Sequence, residues 1–175
     1  MISRVSLYFF VLFFISNVSN ATNIRVIDLN SVIENNLSLV SLYENIKSDQ
    51  TIFKEEFQAE EKKLQQDFAK LEELKLILDT EELSSEINSY NDKLNNFNSK
   101  IDKFNSHYDN QILKLKDEIL NLVIDTLKKY STDNQIDLIL DSNNYILSSN
   151  SINITDIILE ETNKIKIEFK FEKYK

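Results

Sequence analysis

One histidine, His107, the acidic pairs Glu55 with Glu56, Glu60 with Glu61 and Glu72 with Glu73, and no cysteine are the leading features this sequence offers for acid–base, nucleophilic or metal chemistry. Paired carboxylates act as general acid and base where their surroundings drive the two pKa values apart. A metal site or an activated nucleophile would need His107 to work with a thiol or a second histidine. The chain contains neither, so His107 reads as an exposed residue beside a helix seam. The glutamate pairs are interleaved with Lys54, Lys62, Lys63 and Lys70, the pattern of a solvated helix face. Glycine is absent altogether, which excludes a glycine-rich loop that cradles phosphates. No catalytic, cofactor-binding or metal-binding residue is therefore assigned, and function must come from shape and contact.

The amino terminus points to export. Met1 to Arg4 is a short positive leader, residues 5–15 are an apolar run, and Ser19 and Ala21 are small residues at the positions a signal peptidase inspects. Residues 1–21 thus read as a signal peptide cleaved after Ala21. A membrane-spanning anchor needs about 20 apolar residues, and Ser16, Asn17, Ser19 and Asn20 interrupt this run first. Without cysteine, disulfides contribute nothing even in an oxidising compartment. Without glycine or proline, turns rely on Asn, Asp and Ser. The formal net charge is −9, and loss of the leader removes only one charged residue, Arg4. Such a balance argues against nucleic acid, whose phosphates are neutralised by Lys and Arg, and favours basic or uncharged partners.

The elements that must position any contact surface are long helices. Ile46, Phe53, Phe57, Leu64, Phe68, Leu71, Leu74 and Leu78 fall at gaps of three, four and seven, one stripe of a helix. The phase changes at residues 78–82, where Asp79 or Thr80 can cap a new helix with Glu81 and Glu82 in its first turn, so a hairpin tip is expected there. Leu83, Ile87, Tyr90, Leu94, Phe97, Ile101, Phe104 and Tyr108 then alternate steps of four and three, a heptad seam. A second consecutive step of four to Ile112 is a stutter that unwinds a supercoil locally. A helix over residues 81–130 would be about 75 Å long, and two such helices in so small a chain must pack antiparallel. Phe53, Phe57, Phe68, Phe97 and Phe104 either line a binding surface or pack the two arm helices together.

Short β-rich runs flank the arm. Ile24, Val26, Ile27 and Leu29 suggest a strand, with Asn30 or Ser31 as the next helix cap and Glu34 as its capping-box partner. Ile136, Leu138, Ile139 and Leu140 suggest a second strand, residues 141–144 a turn, and residues 145–147 a return strand completing a β-hairpin. Residues 155–162 read as a short helix. Ile165, Ile167, Phe169 and Phe171 alternate strictly with Lys166, Glu168, Lys170 and Glu172, which suggests a strand-like tail over residues 165–175. The expected fold is mainly α with a small β body: a body of residues 22–45 and 131–164 carrying an antiparallel coiled-coil arm of residues 46–130. So small a sheet has open edges and little core, so self-association through body residues such as Val26, Ile136, Leu138, Leu140 and Ile146 is expected.

The order of elements and two segments resemble the Skp (OmpH-like) family of periplasmic chaperones for outer-membrane proteins. One is NIRVIDLNSVIENN at residues 23–36. The other is NQIDLILDSNNYILSSNSINITDIILEETNK at residues 134–164, where Ile136, Asp137, Leu138 and Asp141 match an I-D-L-x-x-D pattern and Ile154, Thr155 and Leu159 the I-T-x-x-x-L opening of the last helix. The resemblance implies a periplasmic homotrimer whose arms enclose a cavity and hold unfolded outer-membrane proteins without ATP. The alternative is an exported coiled-coil spacer that recognises a folded envelope partner. Two features depart from the family. The arm tip carries Asp79, Glu81 and Glu82 where family members are often basic, which argues against lipopolysaccharide as a ligand. The tail at residues 165–175 runs past the family's usual end.

Overall fold

The computed structural model describes residues 22–175; the signal-peptide assignment to residues 1–21 lies outside them. The chain runs through strand β1 (Ile24–Ile27), helix α1 (Leu29–Glu34), long helices α2 (Leu37–Leu74) and α3 (Thr80–Asp133), strand β2 (Leu138–Asp141), two 3-10 turns (Ser142–Asn144 and Asn150–Ile152) and helix α4 (Thr155–Asn163). Helices α2 and α3 lie against each other as the arm, and α2 crosses residue 46 without a break. At 54 residues, α3 is about 80 Å long.

Capping decides where these helices begin. Asp28, rather than Asn30 or Ser31, caps α1: its carboxylate accepts the Ser31 N–H at 2.9 Å. The expected capping box does not form, and Glu34 instead receives the Lys116 ammonium at 2.5 Å. Asn36 caps α2 through the Ser38 N–H, separating α1 from α2 by two residues. At the tip, Asp79 accepts from both Glu81 and Glu82 backbone N–H groups at 3.0 and 2.9 Å, as a carboxylate at a helix N-terminus should.

The body corrects the expected hairpin. β2 pairs not with residues 145–147 but with β1, in parallel, placing Ile24 opposite Leu138 and Ile27 opposite Asp141. A tight two-residue hairpin needs positive φ at its turn, and among the described residues only Gln135 has it. The Asp141 carboxylate also bends the chain differently. It accepts from Leu29 N–H at 3.1 Å and from the Asn143 side chain at 2.7 Å, so β2 is latched to the start of α1 and followed by a 3-10 turn. These bonds outweigh burial and hold the Asp141 pKa below the ordinary carboxylate value. On the other edge of β1, Val26 C=O accepts the Ile154 N–H at 2.9 Å. The whole arm is thus the crossover between two parallel strands.

The tail corrects a second expectation. Residues 165–175 are extended but belong to no sheet; they lie along the arm. Two helices expose no free backbone ladder for a strand to join, so beyond the turn in which Ile165 N–H donates to the Thr162 carbonyl, the backbone of Glu172 and Tyr174 bonds to side chains.

The core is concentrated where arm and body meet. Leu39, Leu115, Ile119, Val123 and Ile158 are all fully buried there, whereas Leu76 and Ile77 at the tip are 87% and 76% exposed. Local opening follows contact density, so amides of residues 74–83 are expected to exchange with deuterium well before those of residues 119–127. Equal protection in hydrogen-exchange mass spectrometry would contradict a projecting arm.

Candidate functional site

Four of the five phenylalanines singled out by their place on the stripes meet in one cluster. Phe53 and Phe57 on α2 interleave with Phe97 and Phe104 on α3, with ring centroids 5.4 Å (Phe53–Phe104), 5.0 Å (Phe57–Phe104) and 6.4 Å (Phe57–Phe97) apart and mostly edge to face, the arrangement aromatic quadrupoles favour. Phe68 stands apart, 48% exposed and 5.7 Å from Tyr90. Lys100 lies 5.5 Å above the Phe57 ring while it binds Glu56 and Glu60. Those hydrogen bonds raise its pKa and tie α3 to α2.

Towards the body the cluster opens into a groove between the helices, and the tail fills it. Tyr174 stacks edge-on against Phe53 and Phe104 at 5.4 and 5.1 Å, and Phe171 lies parallel to Tyr108 at 6.3 Å. The tail backbone is gripped by side chains. Gln111 accepts the Glu172 N–H at 2.8 Å and donates to the Glu172 carbonyl at 2.9 Å. His107 Nε2 lies 2.7 Å from that same carbonyl and 3.0 Å from the Gln111 side-chain nitrogen. Asp49 accepts the Tyr174 N–H at 3.1 Å.

Asp49 is the least expected member. It is only 3% exposed on the apolar stripe, and its carboxylate also receives the Tyr108 hydroxyl at 2.5 Å. A carboxylate buried this deeply stays folded only while its oxygens are satisfied. Sequence reasoning missed it, although the signal is there: Asp49 occupies the i+3 position inside the gap of seven between Ile46 and Phe53. Gln111 and Tyr174 gave no such signal.

Burial, and then the hydrogen bond to Asp49, hold the Tyr108 phenol above its ordinary range. The folded pKa is raised, so this contribution is complete below the unfolded value of about 10 and is lost as pH rises beyond it, because the unfolded chain releases a proton that the folded chain keeps. We expect stability to fall above about pH 10, and Tyr108→Phe to flatten that fall while costing about 1–3 kcal/mol at neutral pH by leaving Asp49 short of a donor. Denaturant titrations at several pH values read both effects; an unchanged alkaline slope would refute the assignment.

The body residues expected to mediate assembly divide. Val26 and Ile136 are buried within this chain, Leu140 is half-buried, and Leu138 and Ile146 are exposed at 45% and 104%. Among the described residues no cluster of His, Cys, Asp or Glu could hold a metal ion, and no helix is long and apolar enough to cross a membrane.

The arm-and-body layout agrees with what the sequence comparison finds: the family described as outer membrane protein (OmpH-like) matches residues 23–161. The chain belongs to the OmpH-like family. Its fold is also similar to a crystal structure from Caulobacter crescentus CB15, provisionally named an outer membrane chaperone (OmpH-like), at a TM-score of 0.64 and 12% identity, covering 91% of this chain and 95% of that one. No curated protein matches the sequence significantly. The OmpH-like match takes in β1, both arm helices, β2 and most of α4, and stops before the tail.

Proposed function

We propose that this OmpH-like protein is a periplasmic holding chaperone: it binds unfolded outer-membrane proteins between helical arms and keeps them from aggregating, without catalysis and without ATP. The observation that carries this reading is the OmpH-like match across body and arm together. The solved neighbour bears the chaperone name on the same architecture. A chain without glycine cannot build a glycine-rich nucleotide loop, which fits release without nucleotide. We further propose a homotrimer joined through the bodies, with the exposed Leu138 and Ile146 at the joint. Client contact is assigned to the arm face around the half-buried Phe53 and Phe57 and the exposed Phe68, while Phe97 and Phe104, buried between the two helices, hold that face together.

The grip is apolar, reinforced where a client is locally basic, because the acidic chain offers no long-range attraction to acidic partners. A urea-unfolded β-barrel protein diluted into buffer should stay soluble when this chain is present and no nucleotide is added. Its capture should weaken only modestly as salt rises to physiological strength, where charge acts over about 8 Å. Aggregation at the uncatalysed rate would overturn the chaperone reading, and a steep loss of capture with salt would overturn the apolar grip.

A further inference from the structure

The tail lies outside the OmpH-like match, which ends at residue 161, yet it makes specific contacts with the arm. We infer that the groove between α2 and α3 at the arm root is a receptor for an extended, alternately apolar segment of an unfolded chain, and that residues 165–175 are its resident occupant, which an incoming segment displaces. This rests on the chaperone reading above.

The occupant shows what the groove accepts. Ile167, Phe169 and Phe171 are half-buried, while Lys166, Glu168 and Lys170 between them are exposed, so a period-two segment lies with one face down. That alternation is the signature of a β-barrel strand before it is paired. The groove takes hold of main chain: Gln111 both donates to and accepts from Glu172, and Asp49 takes the Tyr174 N–H. Main-chain capture gives affinity without regard to sequence, and the side chains facing down supply the selection. The seat is also incomplete. A cleft of about 360 Å³ remains between tail and arm, lined in part by Leu42, Asn45, Phe169 and Phe171. Charge agrees: residues 164–175 hold five lysines and two glutamates on a chain of net charge −9. The groove's natural ligand is therefore an extended amphipathic segment with a basic outer face.

The test uses a fluorescein-labelled peptide copying residues 164–175, the full chain, a chain ending at Lys164, and the full chain carrying Tyr174→Ala. If the tail fills the groove nine-tenths of the time, its removal should strengthen peptide binding about ten-fold, and Tyr174→Ala should shift binding the same way with the tail still present. A urea-unfolded outer-membrane β-barrel protein should then displace the peptide. Circular dichroism confirms that each variant keeps its helices. Failure of the peptide to bind a shortened chain of intact helicity overturns the inference. So does capture of the barrel protein without displacement of the peptide, which places the client elsewhere and leaves the chaperone reading standing. A doubling of mass through tails exchanged between copies, with no displacement, also overturns it. Failure of every variant to capture the barrel protein sinks the chaperone reading itself.

Discussion

Leu115→Ala is expected to lower unfolding free energy by about 2–5 kcal/mol, the range for emptying a fully packed leucine site. Leu115 is completely buried where α3 passes the body, in one cluster with Leu39, Leu42, Ile119 and Ile158. Its neighbours come from α2, α3 and α4 and are held from several directions, so the site has little freedom to collapse. A domain of this size has about 5–15 kcal/mol in all, and the substitution removes a large part of it. Leu83→Ala provides the contrast, because Leu83 is only half-buried near the tip and faces a single partner helix. Urea titration followed by circular dichroism should show a much lower midpoint for Leu115→Ala and a small change for Leu83→Ala. Equal losses would mean that the arm is packed evenly along its length, contrary to the exposure of Leu76 and Ile77.

The difference between these two leucines was only partly legible in the sequence. Heptad spacing identified Leu83 as a seam residue, Leu115 follows Ile112 by three beyond the stutter, and the phase change with a cap at Asp79 or Thr80 located the tip, because helical periodicity and capping are local properties. Helix α4 was legible for the same reason. The partner of a strand is a different kind of fact. The β run expected over Ile136 to Leu140 forms over Leu138–Asp141, but the proximity of residues 145–147 suggested a hairpin, whereas the actual partner, β1, lies more than a hundred residues away. What decided it was the Asp141 carboxylate reaching Leu29, a bond that no periodicity reveals. The tail failed in the same way. Its alternation was real and is expressed as alternate burial, but the surface it covers is a pair of helices and not a sheet. Of the groove, the phenylalanines were visible as stripe positions. Gln111 was not, because a glutamine on a helix beside the seam looks like any solvated polar residue until an extended chain lies next to it.

Ile146→Asp is expected to convert the proposed trimer into monomers without unfolding the chain. In one chain β1 has neighbours on both edges, β2 at one side and Asn153 at the other, while β2 pairs only with β1 and leaves an edge open. On β2 Leu138 is 45% exposed, and Ile146 and Leu147, a few residues further along the chain, are 104% and 89% exposed. Native proteins cover or charge such edges, and apolar side chains grouped at one mark a contact surface. A fully exposed isoleucine contributes little to the fold of its own chain, so its replacement should change monomer stability by no more than about 0.5 kcal/mol. In a trimer the same carboxylate would be buried without a partner at every joint, a penalty of several kcal/mol for each desolvated ion. Leu138→Asp should act in the same direction but with some loss of stability, since Leu138 is also part of the β1–β2 ladder. Sedimentation equilibrium reads the mass and circular dichroism reads the fold. A folded Ile146→Asp chain that kept the wild-type mass would move the joint away from the body, and a wild-type chain that sedimented as a monomer would remove the trimer altogether.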